Sequence, residues 1–476
     1  MNKKIILFIA VISCLSFFKV NAAANDSYDI EFQIKGLKGG KCLLGNYFGD
    51  KQYIQDSCIV DENGKGFFKK NKSLPGGIYL FVLPNKKYFE FLLDKDQQFS
   101  FETDTLDFIE YTKFKGSDDN TLFYKYLVFI TKEQKAVEPL RAKYQDKNTS
   151  PDSAKAILSR ITKIDEAVKN YKLDYIKEHE NTFLSQVFKA TEDPEIPETP
   201  KLANGQLDST FAYRYYKKHF FDRIDFSDDR LLRTPIFHSK LNQYLEKLVM
   251  QIPDSLNKEA DFLVAKARAN KEVFKYVVYY ITSTYEVSKI MGMDAVFVHM
   301  VDKYYTYDQA TWMDSTSLYK IQDRARILKP LLIGQQCMPL NLEDSLGKFH
   351  SLYAINARYT VLFFWDPDCS HCQKSLPKMI ETYTKMKPKG MEVFAVCTEV
   401  EVDKWKKYIR EKKLSWINVG DPYLHNNFRH DFDISSTPQI FILDSNKKII
   451  AKKLDVSQIE DFLVNRMKFE DSQKKN

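Results

Sequence analysis

The sequence predicts a multidomain chain in three successive classes: an all-β part over residues 27–115, an all-α part over 117–328 and an α/β part over 330–470. Three observations predict it. Short alternating apolar runs separated by turn residues fill the first part. Apolar residues recur at helical spacing through the second. In the third, apolar β-prone runs alternate with helical patterns, the signature of strands joined through helices. A length of 476 residues fits about three domains of ordinary size.

In the first part, Tyr28-Asp29-Ile30-Glu31-Phe32-Gln33-Ile34 alternates polar and apolar residues. Further strand-like runs are Cys42-Leu43-Leu44, Ile78-Tyr79-Leu80-Phe81-Val82-Leu83, Tyr88-Phe89-Glu90-Phe91-Leu92-Leu93 and Gln98-Phe99-Ser100-Phe101. Gly39-Gly40, Asn63-Gly64, Pro75-Gly76-Gly77, Pro84-Asn85 and Asp94-Lys95-Asp96 give turns between them. Many short strands of this kind predict a small sandwich or barrel. Cys42 and Cys58 are a candidate structural disulfide there.

Gly116-Ser117-Asp118-Asp119-Asn120 is a break followed by a helix start. Leu122, Tyr126, Phe129 and Ile130 then share one helical face, as do Ile157, Ile161, Ile164 and Val168. The acidic, proline-rich run Thr191–Pro200 predicts a loop between helical hairpins. Later helices carry Leu241-Tyr244-Leu245-Leu248 and Phe274-Val277-Val278-Ile281. No repeat of fixed length supports a solenoid. The aromatic density of this part reads as helix-on-helix core.

In the α/β part, strands are expected at Tyr359–Phe364, Glu392–Val396 and Gln439–Leu443, and helices at Ser370–Met386, Val402–Lys412 and Val456–Met467. Asp444-Ser445-Asn446 marks a final hairpin turn. The chemistry concentrates in one run, Phe363-Phe364-Trp365-Asp366-Pro367-Asp368-Cys369-Ser370-His371-Cys372. At a strand-to-helix junction the first cysteine sits at the helix N-terminus, where unpaired N–H groups and the helix dipole favour a thiolate. Cys369 is therefore the expected nucleophile. Cys372, one turn inside, is placed to resolve a mixed disulfide. His371 favours the thiolate when protonated, whereas Asp366 and Asp368 oppose it.

Other uses of the two cysteines fit less well. Structural zinc wants four ligands, and no second cysteine pair or His/Cys cluster supplies the rest. Covalent haem attachment needs His after the second cysteine, where Gln373 stands. No metal and no cofactor is expected. Cys337 and Cys397 lie in apolar runs and read as buried thiols.

The net charge is +7, and Lys3, Lys4 and Lys19 supply three of those charges. Spread over this length, the remainder is too little to imply a nucleic-acid partner. Residues 1–22 read as an export signal: Lys3-Lys4, an apolar stretch from Ile5 to Phe18, and Val20-Asn21-Ala22 as a cleavage site. The apolar stretch is shorter than the ~20 residues of a membrane span. A periplasmic or cell-envelope location is expected. Val11-Ile12-Ser13-Cys14 fits a lipoprotein attachment pattern, although the apolar run continues through Leu15–Phe18 and argues against cleavage at Cys14. Membrane anchoring is expected only if Cys14 is lipidated.

Residues 330–470 resemble the thioredoxin superfamily, and more closely its exported TlpA/ResA-like branch. Gly334-Gln335-Gln336-Cys337-Met338-Pro339-Leu340 is similar to the opening segment of that branch, and Gly347-Lys348 with Leu352 to the branch's next stretch. Trp365 matches the tryptophan before the dithiol. Pro377 matches the proline of the first thioredoxin helix. Ser436-Thr437-Pro438 matches the cis-proline loop. The resemblance implies a thioredoxin-like fold, a redox disulfide between Cys369 and Cys372, and a cis Pro438 beside Cys369. It also implies that the Thr437 backbone meets an extended substrate. Two departures stand out. Phe363 replaces the buried Asp of thioredoxins, and Ser375 replaces the Glu of ResA-like reductases, so both usual proton-handling carboxylates are missing. The peroxiredoxin spacing is absent as well, which disfavours peroxidase activity. The whole architecture is similar to exported bacterial proteins with an N-terminal β domain and a helical middle domain, and Phe226–Pro235 carries that likeness.

Two functions compete. One is an exported thiol–disulfide oxidoreductase acting on protein thiols and disulfides with an unidentified redox partner. The other is a binding or scaffold protein whose thioredoxin-like domain is a redox switch or inert.

Overall fold

A computed structural model describes residues 27–473; the export signal and Cys14 lie outside the described residues. The three structural classes follow one another as expected. The described residues gather into two compact units, however. One runs to Glu192 and includes Arg230–Phe237; the other comprises Asp193–Asp229 and the chain from His238 onward.

The first unit opens with eight strands: β1 (Tyr28–Lys35), β2 (Lys41–Phe48), β3 (Lys51–Ile59), β4 (Lys65–Lys70), β5 (Gly77–Val82), β6 (Tyr88–Leu93), β7 (Gln98–Asp104) and β8 (Lys113–Lys115). They make two four-stranded sheets, ordered β4-β1-β7-β8 and β3-β2-β5-β6. Alternation puts Ile30, Phe32 and Ile34 of β1 inside, each almost wholly buried. Aromatic rings join the sheets: Phe81 of β5 meets Phe32 of β1 edge-on at 4.7 Å and Phe101 of β7 at 5.6 Å. This is a sandwich. Its strands β3 and β4 escape the sequence reading because β3 is exposed or half-exposed throughout and β4 buries only Phe68. Gly64, in the turn between them, has φ +74°, and a Cβ there would lie 2.1 Å from the Ile34 carbonyl oxygen.

Three helices complete the unit: α1 (Asp118–Gln145), α2 (Pro151–Glu178) and α3 (Phe183–Thr191). Ser117, Ser150 and Thr182 cap their N-termini through side-chain oxygens. The buried Asn120 side chain accepts from Leu92 N at 2.7 Å and donates to Leu92 O at 2.8 Å, so α1 satisfies the backbone of β6. Tyr124 adds a bond to Glu90 O at 2.9 Å. These bonds explain why the compact unit continues past residue 116. Residues 192–200 have no helix or strand.

The second unit contains α4 (Phe211–His219), most of α5 (Pro235–Gln243), α6 (Pro253–Ala267), α7 (Lys271–Glu286), α8 (Asp294–Tyr304) and α9 (Ser315–Leu328). Leu263, Val264, Val277, Val278, Ile281, Val296 and Phe297 form its helical core, all fully buried. The α/β part follows: β9 (Asn341–Asp344), β10 (Phe349–Ser351), β11 (Tyr359–Trp365), α10 (Ser370–Met386), β12 (Met391–Cys397), α11 (Val402–Lys412), β13 (Ile417–Gly420), α12 (Phe428–Asp431), β14 (Gln439–Asp444), β15 (Ile449–Lys452) and α13 (Val456–Gln473). Its seven strands are ordered β10-β9-β13-β12-β11-β14-β15.

β11 is central and wholly buried, parallel to β12 and antiparallel to β14. Its residues alternate between two cores: Tyr359, Val361, Phe363 and Trp365 face one side, Leu362 and Phe364 the other. Cys337 and Cys397 are buried in these cores as free thiols. The sheet edge is tied to the helices by a buried ion pair between Lys452 of β15 and Asp294 at the start of α8. Lys452 also donates to Leu331 O at 2.6 Å. Burial lowers the Lys452 pKa, and the Asp294 carboxylate opposes that shift.

Candidate active site

β11 ends at Trp365, and the chain turns through Asp366-Pro367-Asp368 into α10. Cys369 is the N-cap of α10, and its sulfur accepts from Cys372 N at 3.4 Å. Asp366 O accepts from Cys369 N at 3.2 Å, and Gln373 Nε2 reaches back to Pro367 O at 2.6 Å. The turn is thereby fixed on both sides of the cysteine. Cys369 is half-buried; Cys372 is 2% exposed. The Thr437–Pro438 peptide is cis, and Cys369 Sγ donates to Thr437 O at 3.1 Å.

Both sulfurs are free thiols. The disulfide expected from the resemblance is therefore not formed here, and the geometry is that of the dithiol. Cys42 and Cys58 are likewise free, although they stand directly opposite one another across β2 and β3.

The two thiols differ sharply in acidity. Burial works to raise Cys369. The Thr437 hydroxyl, the Cys372 amide and thiol, and the His371 amide outweigh it and hold the thiol below its ordinary value. Burial pushes Cys372 up to about 12, against the opposing bonds from the Asp366 amide and the Thr437 side chain. An accessible, acidified sulfur thus stands one turn from a buried, weakly acidic one. Such a pair can attack a disulfide with the first sulfur and release the product with the second.

The remaining named residues take different places. His371 is exposed beside the pair. Trp365 is buried beneath it, with Tyr408 of α11 at 5.5 Å between ring centres. Pro377 lies two turns into α10, on an exposed position away from the sulfurs. Phe363 packs in the same core as Cys372, so an apolar ring occupies that position. Ser375 bonds to His371 O at 2.9 Å and Cys372 O at 3.1 Å, within its own helix. Asp366, Asp368 and Glu399 converge on the other side of the turn. Lys404 bonds to Asp368, and to Glu399 at 3.3 Å, placing a cation among the three carboxylates.

A cleft of about 790 Å³ opens beside the dithiol, lined by His371, Thr437 and Pro438. Lys374 and Lys378 of α10, Lys453 after β15 and Arg324 of α9 also line it. None of these four cations stands out in the sequence. A signal exists for two of them: His371, Lys374 and Lys378 recur at helical spacing.

Residues 356–449 match the thioredoxin-like family. Residues 28–123 and 169–329 match two families described as domains of unknown function, DUF4369 and DUF5106. The thiol-disulfide oxidoreductase ResA of Bacillus cereus is 25% identical over 123 residues, which are 25% of this chain and 68% of that protein. The ResA of Bacillus subtilis is 27% identical over 128 residues, 26% of this chain and 69% of that protein. Among solved structures, a domain of a possible thiol-disulfide isomerase from Cytophaga hutchinsonii is 40% identical. It covers 31% of this chain and 99% of its own, with a TM-score of 0.29. Through its C-terminal domain the chain belongs to the thioredoxin-like family, with ResA-type thiol–disulfide oxidoreductases among its relatives.

Proposed function

We propose that this protein is an exported thiol–disulfide oxidoreductase that exchanges disulfides with protein substrates through Cys369 and Cys372. The observation that carries the reading is the geometry: a partly exposed Cys369 at the N-cap of α10, 3.1 Å from Thr437 O beside the cis-Pro438 peptide, with Cys372 buried one turn inside. Acting as reductant, the Cys369 thiolate attacks one sulfur of a substrate disulfide. The substrate S–S bond breaks, a Cys369–substrate disulfide forms, and the leaving sulfur takes up a proton. Cys372 then gives up its proton and attacks Cys369 Sγ. The second substrate thiol leaves, and the protein holds the Cys369–Cys372 disulfide. One dithiol is oxidised and one disulfide reduced; the reverse sequence oxidises a substrate dithiol.

In this reading Pro438 and Thr437 face the substrate, His371 favours the thiolate, and Trp365 supports the turn from below. Pro377 belongs to the scaffold of α10. Cys369→Ser should abolish exchange with a disulfide-bonded protein, and Cys372→Ser should accumulate mixed disulfides on non-reducing gels. If neither happens, the scaffold reading takes its place. The reduction potential of the pair gives the direction: about −120 mV for an oxidant, about −270 mV for a reductant.

A further inference from the structure

The cleft beside Cys369 has an unusual balance of charge. Its first wall is the face of α10 that carries His371, Lys374 and Lys378. The cis-Pro438 loop adds Ser435, Ser436 and Thr437. The turn from β15 into α13 adds Lys453 and Asp455, and α9 of the central helical region adds Arg324.

Each carboxylate in this lining is already engaged. Asp455 caps α13: one of its oxygens accepts from Ser457 N at 2.8 Å and Ser457 Oγ at 2.6 Å. Asp433 is paired with Arg324. The cations are not all engaged. Lys378 is shared between Glu381 at 3.2 Å and Glu460 at 3.9 Å. Lys374 and Lys453 are exposed, and among the described residues neither side chain makes an ion pair or hydrogen bond. Lys453 stands in the left-handed region, φ 57°, where the chain leaves β15. Two uncommitted ammonium groups therefore flank a polar cleft in which Asp433 is paired with Arg324 and Asp455 is turned to Ser457.

We propose that this cleft docks an acidic polypeptide segment adjoining the cysteine that exchanges with Cys369, held by Lys374 and Lys453. In the same arrangement Arg324 of the central helical region keeps Asp433 from repelling that segment. The inference rests on the exchange reading above and names its substrate class. It also gives the helical region, matched as a domain of unknown function, a part in substrate choice. The cleft volume of about 790 Å³ is ample for several residues of extended chain. The Thr437 carbonyl and the backbone of the cis-Pro438 loop border its inner end.

The test uses the full chain and a pair of disulfide-linked peptides that differ only in three Asp or three Asn beside the cysteine. At low ionic strength the acidic peptide should be turned over with a kcat/KM roughly three- to tenfold higher, the preference two exposed ion pairs supply. Raising salt to about 0.5 M should erase the preference by screening. In K374Q/K453Q the ratio should fall to about one. In R324Q, which leaves Asp433 unpaired but keeps both lysines, it should fall toward one. Equal turnover of the two peptides by the unaltered protein overturns the proposal, as does a ratio unmoved in K374Q/K453Q. A preference for a small acidic disulfide that equals the peptide's would also overturn it, since no polypeptide is then needed. A Ser-for-Cys version of the acidic peptide, followed by fluorescence anisotropy, reads docking without chemistry. Docking without turnover of either peptide would sink the exchange reading and leave the docking site standing.

Discussion

The sharpest consequence of the site geometry is a difference in alkylation rate between Cys369 and Cys372. The perturbation is iodoacetamide added to the reduced protein at pH 7. Cys372 is pushed up to about 12, while Cys369 lies below the ordinary thiol value of 9.0, so at least three units separate them. The thiolate fractions at pH 7 then differ by at least ~10³. The rarer thiolate is the more nucleophilic one, and a Brønsted slope of about 0.45 over three units returns a factor of about 20. The net chemical preference for Cys369 is at least about 50-fold. Access increases it further, because Cys372 is 2% exposed and Cys369 is half-buried. Peptide mapping by mass spectrometry at timed quenches measures both rates. Comparable rates at the two positions, or faster labelling of Cys372, would refute the assignment of nucleophile and resolving sulfur.

Four further outcomes are expected. Replacing Cys369 by Ser removes a charge and a hydrogen bond that both raise Cys372, so Cys372 should titrate below about 12 by thiolate absorbance; an unmoved titration contradicts the coupling. Asp294→Asn strands the buried Lys452 ammonium and should cost about 3–5 kcal/mol in denaturant unfolding, whereas Asp294→Leu with Lys452→Met should be near neutral. For Glu470, burial opposes ionisation, but Arg358, Tyr359 and Arg466 hold the carboxyl down to about 2. A depressed folded pKa stabilises above the unfolded value of ~4.3 and that stability is lost as pH falls toward 2. Because the side chain is 27% exposed, screening leaves on the order of 1–2 kcal/mol, and Glu470→Gln should remove it at pH 7 but not at pH 2. Phe363→Asp puts a carboxyl at a fully buried ring position and should cost about 3–5 kcal/mol of stability, read by thermal unfolding.

The parts of this molecule legible in the sequence are those whose physics is local. β11 announces itself because both its faces are buried and every residue from Tyr359 to Trp365 is apolar or β-prone. α10 and α11 run over Ser370–Met386 and Val402–Lys412, where the periodicity puts them, because a cap or an apolar stripe marks each. The edge strands β3 and β10 are different. They are paired on one side to a neighbour and largely solvated, so their residues carry little pattern. The coupling of α1 to β6 is equally invisible in the sequence, since it rests on one asparagine satisfying a strand 28 residues away. At the site, the dithiol and the cis-Pro438 loop are readable because their residue types are restrictive. The cleft is not: Arg324, Lys374 and Lys453 are ordinary surface cations until the fold brings α9, α10 and the β15–α13 turn together.

The missing carboxylates gain a physical meaning from the same geometry. On the proposed reading Cys372 must ionise to release the substrate, yet burial holds it to about 12, and neither Phe363 nor Ser375 can take its proton. Two of the contributions that hold Cys372 up come from Cys369 itself: its charge and its hydrogen bond. Both disappear once Cys369 is tied up in a mixed disulfide. The contributions that favour the Cys372 thiolate, from the Asp366 amide and the Thr437 side chain, do not involve Cys369. Attack by the first sulfur therefore acidifies the second. Burial stays the largest cause of the raised Cys372 pKa, and loss of the two smaller Cys369 contributions lowers it from there. A carboxylate beside Cys372 would speed the proton transfer, but its own negative charge would raise the thiol further before the first step. On the proposed reading the site lacks that assistance, and the charge lost from Cys369 in the first step is a partial substitute for it.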